Sequence, residues 1–85
     1  MARTLRSNGQ IALCDGIIEA RKTAGLGQAD MARRLRCQQS LVARLESGQR
    51  RIDVVEFIVL SRAIGFDPYL LLAIVDAATP PDHRI

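Results

Sequence analysis

The segment that most constrains this chain runs from Gln28 to Ser47, QADMARRLRCQQSLVARLES. It divides after Leu35 into two pieces, and each has the apolar spacing of a short helix. Met31, Ala32 and Leu35 make the stripe of the first piece, and Leu41 or Val42 with Leu45 that of the second. Only Arg36 to Gln38 remain to join them. With so short a joint the helices cross at a steep angle instead of running on as one.

Two short helices crossed about a tight turn make a helix-turn-helix, whose second helix enters the major groove of DNA. The block resembles the helix-turn-helix of the phage-repressor/Cro-like family, also called the XRE family. Leu26 and Gln28 open the first helix, Ala32 sits at its tight crossing point, Val42 and Leu45 form the underside of the second, and Glu46-Ser47-Gly48 closes the motif. The likeness reaches from about Ile11 to Pro68, most of the chain. It implies an all-α, compact five-helix lambda-repressor-like DNA-binding domain and a sequence-specific regulator of transcription. In one place the chain departs from the family pattern. Where the family usually has glycine in the turn, this sequence has Arg36, and a left-handed backbone at a non-glycine residue costs about 1 kcal/mol.

The 85 residues suit one small domain, with little room for a separate ligand-binding, cleavage or catalytic module. An apolar share of 48% is enough for a core, and with aromatics at 4% that core rests on Leu, Ile, Val and Ala. Cys14 and Cys37 are too few for a disulfide framework and read as free thiols in a cytoplasmic protein, associated with the nucleoid. The N-terminus has no apolar leader, and Arg62 and Asp67-Pro68 interrupt the richest apolar stretch, so no membrane span is expected. Charge is unevenly distributed. Eight of the twelve basic residues lie between Arg21 and Arg51 with only Asp30 and Glu46 against them, while the remainder is acidic. A solvated helical face can produce part of this; the polarity of the split favours a polyanionic partner, double-stranded DNA.

Residues 1–8 have no periodicity and carry Arg3 and Arg6, a flexible end that in some DNA-binding domains is a groove-reaching arm. The domain proper is expected over 9–78, with a tail over 79–85. Ser7 and Gln10 fit a capping box before a helix from about Gln10 to Thr23 with Ile11, Cys14, Ile17 and Ile18 on its inner stripe, stopped by Gly25. The resemblance implies that Arg21 pairs with Glu46 structurally, tying this helix to the recognition helix, and leaves Lys22 for DNA phosphate. Gln28, in the first turn of a helix over about 28–35, has free backbone amides beside it that favour an anion. In the family the matching Gln clamps a phosphate; plain solvation is the alternative. Arg33 and Arg34 are expected to be exposed and to act only through long-range attraction.

The second helix of the motif, about 39–47, presents Gln38, Gln39, Ser40, Ala43 and Arg44 outward as base-contacting residues. Gln pairs bidentately with adenine and Arg with guanine, and the N-terminal residues of such a helix lead into the groove. Arg50 and Arg51, in the basic loop that follows, are candidates for the phosphate backbone. Asp53 and Glu56 signal a second capping box before a helix over about 54–64, stopped by Gly65. Asp67 and Pro68 open the last helix, about 68–78. That helix is apolar nearly all round, which asks for a second cover besides the core. Tyr69, Leu71, Leu72 and Val75 are the dimerisation candidates, with wrapping by the tail as the alternative.

His83 stands alone, and neither Cys nor His has metal-ligand spacing. No nucleophile–base–acid set or phosphate-cradling glycine loop is legible. The reading is a non-enzyme that needs no cofactor: a dimeric repressor of a promoter, its own included, on a two-fold operator. The competing class is a protein-binding module, an antitoxin or an RNA-polymerase-contacting activator that works through its last helix. A non-specific architectural DNA binder is the third.

Overall fold

The computed structural model describes residues 7–84. Five helices account for most of them: α1 (Asn8–Thr23), α2 (Gln28–Leu35), α3 (Gln39–Ser47), α4 (Val54–Ile64) and α5 (Pro68–Ala78). No strand occurs among the described residues, and none of their helices is long and apolar enough to cross a membrane. The fold is all-α.

Local chemistry sets the boundaries. Ser7 is extended and its Oγ accepts the Gln10 amide at 3.2 Å. A cap at Ser7 makes Asn8 the first helical residue, so α1 starts ahead of the Gln10 expected from periodicity, and Asn8 leaves the arm. Arg3 and Arg6 of that expected arm lie outside the described residues. The reciprocal half of the box is also absent, because the Gln10 amide turns toward Cys14 Sγ at 4.0 Å. At the other end of α1, Gly25 takes φ +76°, Gly25 N–H donates to Lys22 O at 2.9 Å and Leu26 N–H to Arg21 O at 3.0 Å. This Schellman closure satisfies carbonyls that the helix end would otherwise orphan. Asp53 and Glu56 form a complete box before α4, with bonds of 2.7 and 3.1 Å. Asp67 caps α5 through Tyr69 N at 2.9 Å.

One core joins all five helices. Ile17, Met31, Val42 and Leu60 are its fully buried side chains, one from each of the first four helices, and Leu71 of α5 closes it. Burying each such side chain contributes about 1.5–3 kcal/mol. Phe57 and Phe66 stack at a tilt with centroids 5.7 Å apart. The α1–α5 contact depends on two small residues of α1. A Cβ built at Gly16 would lie 2.2 Å from Leu71 Cδ1, and one at Gly9 2.3 Å from Thr79 Oγ1. A larger residue at Gly16 would force the Leu71 side chain to move from its seat in the core.

That docking divides the four dimerisation candidates by burial. Leu71 is buried and Val75 is half-buried against the core, so both belong to the protomer interior. Tyr69 and Leu72 are exposed, together with Leu70 and Ile74, which sequence reasoning left out. The four-residue spacing of Leu71 and Val75 puts both on one face of the helix, and Gly16 selects that face.

Candidate nucleic-acid interface

The turn between α2 and α3 carries the single non-glycine residue with positive φ among those described. Arg36 sits at φ 56°, ψ 47°. Its amide donates to Arg33 O at 3.2 Å and that of Cys37 to Ala32 O at 3.0 Å. The same closure that Gly25 provides in α1 is therefore made here at the expense of a strained arginine, whose exposed side chain enters none of the ion pairs among described residues. Three residues join the two helices, and α3 starts at Gln39.

Burial divides α3 lengthwise. Val42, Leu45 and Glu46 face inward, with Val42 at 0% exposure. Gln38, Gln39, Ser40 and Arg44 are exposed and Ala43 is half-buried. Gln39 with Ala43, and Ser40 with Arg44, form two adjacent rows at helical spacing on the outer face. The Cys14 thiol donates to Leu45 O at 3.4 Å, fastening the inner face to α1.

A buried polar cluster holds α3 in place. Arg21 Nε and Nη2 donate to the Glu46 carboxylate at 2.6 and 3.0 Å, and Arg21 Nη1 donates to Leu26 O at 2.9 Å. Gln28 Nε2 also donates to Glu46 Oε1, at 2.9 Å. The structure thus brings Arg21, Glu46 and Gln28 together from α1, α3 and α2. Gln28, expected at a phosphate, points one amide hydrogen into this cluster, and the second N–H of its NH₂ group is left for an outside acceptor. No buried side-chain polar atom among the described residues lacks a partner.

The helix starts differ in a way that bears on anions. Side chains of Ser7, Asp53 and Asp67 cap α1, α4 and α5, whereas α2 and α3 have no side-chain cap on their first-turn amides. Those amides carry the positive end of each helix dipole and bind water or an oxyanion. Asp30, in the first turn of α2, is engaged by Gly27 N at 2.8 Å and paired with Arg33.

The basic loop after α3 is partly committed. Arg50, expected at a phosphate, forks onto Glu56 at 2.9 and 2.6 Å. The pair raises the Arg50 pKa and holds the Glu56 carboxyl below its ordinary range, chiefly through these hydrogen bonds. Arg50 thereby braces the loop against α4, with its side chain still partly exposed. Arg51 and Lys22 are exposed and outside every ion pair among described residues. Arg34 donates to Ala63 O at 2.8 Å, bracing α2 on α4. Arg36 is the cation that sequence reasoning passed over; its position on the turn, between two helices of the motif, was the available signal. Among the described residues no group of three or more His, Cys, Asp or Glu is placed to hold a metal.

Two short helices joined by a three-residue turn, the second with its apolar side buried and its polar side exposed, and starts of both without side-chain caps define a helix-turn-helix DNA-binding domain. Comparison with known proteins agrees. The profile of the family described as "Helix-turn-helix domain" matches residues 19–73. A solved structure, an XRE-family like protein from Pseudomonas syringae pv. tomato str. DC3000, is 47% identical, with a TM-score of 0.74 over 82% of this chain and 85% of that one. No match is found among curated proteins. The chain belongs to the XRE family of helix-turn-helix proteins.

Proposed function

We propose that this protein is a sequence-specific repressor that binds a two-fold operator as a homodimer. The observation that carries the reading is the division of α3. An inner face locked by Val42, Leu45 and the Arg21–Glu46 pair presents Gln39, Ser40, Ala43 and Arg44 as a rigid outer surface. Gln38 and Gln39 offer bidentate partners for adenine, Arg44 for guanine, Ser40 for either, and Ala43 apolar contact with a thymine methyl. Lys22, Arg51 and the second Gln28 hydrogen serve phosphates, and Arg36 joins them. The exposed residues Tyr69, Leu70, Leu72 and Ile74 of α5 supply the dimer contact. Dimer symmetry then sets two half-sites about one helical turn apart. Blocking a promoter, its own included, is the simplest output, in the cytoplasm and on the nucleoid.

The same α5 surface favours a second reading, in which it docks a toxin or RNA polymerase and DNA binding is secondary. Selection of purified protein on a randomised duplex library separates the two. The repressor reading expects a palindromic consensus that Gln39→Ala degrades at particular positions. Enrichment of nothing, with binding that only fades as salt rises, refutes it.

A further inference from the structure

A cavity of about 610 Å³ opens between the start of α1, the loop after α3 and the segment that follows α5. Arg51, His83 and Arg84 line it from two distant parts of the sequence, and among the described residues no carboxylate does. Leu13 and Val75 add apolar wall, and Ser7 and Gln10 add neutral polar groups. Arg51 and Arg84 enter none of the ion pairs among the described residues. Cations gathered without counter-charge repel one another, and the guanidinium fork matches carboxylate and phosphate oxygens bidentately. The volume falls in the range of about 300–1,000 Å³ typical of small-ligand sites.

We propose that this cavity binds a small organic oxyanion, a phosphate or carboxylate head on an apolar body. The head meets Arg51 and Arg84, with His83 beside them, and the body lies on Leu13 and Val75. The DNA backbone offers the same head chemistry without the apolar body, and the test separates the two sources.

Inorganic phosphate and phenyl phosphate are titrated into the ¹⁵N-labelled full chain, without DNA, and amide shifts are followed by NMR. Both anions are expected to move the amides of residues 7–10, 51 and 79–84. Phenyl phosphate should bind about tenfold tighter than phosphate through the apolar wall. Arg84→Ala should weaken phenyl phosphate at least about fivefold, whereas Arg62→Ala, on the exposed side of α4, should not. Shifts spread evenly over Arg36, Arg44 and Arg62, equal affinity for the two anions, or an ineffective Arg84→Ala would each overturn the proposal. A second arm measures the salt dependence of binding to duplex DNA. The slope should be the same for Arg84→Ala and the unsubstituted chain; a slope shallower by about one would hand the cavity to the DNA backbone and overturn the small-molecule reading.

Discussion

Glu46→Ala tests the claim that a buried ion pair, rather than the apolar underside alone, seats the recognition helix. Glu46 has 4% side-chain exposure and Arg21 10%. The carboxylate accepts from Arg21 Nε, Arg21 Nη2 and Gln28 Nε2. Truncation leaves two guanidinium donors and an amide facing an apolar void, with the charge still buried. Breaking one partner of such a pair costs about 3–5 kcal/mol. A domain of this size loses about 4–8 °C of melting temperature per kcal/mol, so the variant should melt at least about 12 °C lower. Arg21→Met/Glu46→Leu removes both charges and refills the volume, and should recover to within about 2 kcal/mol of the unsubstituted chain. Urea unfolding followed by far-UV circular dichroism reads all the variants, including Arg21→Met alone. A Glu46→Ala loss below about 1 kcal/mol would refute the reasoning, as would a double variant as unstable as the Arg21→Met and Glu46→Leu losses, each measured alone, added together.

Three further outcomes follow from the geometry. Gly16→Val should destabilise the chain by about 1–3 kcal/mol by forcing Leu71 out of its seat, read as a lower urea midpoint. Arg36→Gly should stabilise by up to about 1 kcal/mol by relieving the left-handed backbone; a loss of stability would mean that the arginine side chain contributes more than its strain costs. Glu56 has a depressed folded pKa through its hydrogen bonds to Arg50. Its contribution to stability is therefore complete above the ordinary carboxylate range and is lost as pH falls through the folded value. Melting curves of Glu56→Gln between about pH 6 and pH 3 should show a shallower acid decline than the unsubstituted chain.

The motif was legible in the sequence because its determinants are local. Apolar spacing placed α2 and α3, three residues between them forced the crossing, and Asp53, Asp67-Pro68, Gly25 and Gly65 marked where neighbouring helices begin and end. Even the strain at Arg36 was readable, since the turn demands a left-handed residue whatever occupies it. The start of α1 was misjudged by periodicity, because the Ser7 cap admits Asn8 and Gly9 to the helix before the apolar stripe begins. Tertiary structure alone decided the inward face of α5. A helix apolar on every side has no period to choose between them, and the choice falls to Gly16, the position on α1 where Leu71 can approach. It also decided the partners of Gln28 and Arg50. A polar side chain at a helix start or in a loop is equally plausible in water or on a phosphate, and only the folded arrangement sets Glu46 beside one and Glu56 beside the other. Periodicity and caps act within a turn or two of chain, whereas a charge takes whatever partner the packing of distant helices brings within about 4 Å.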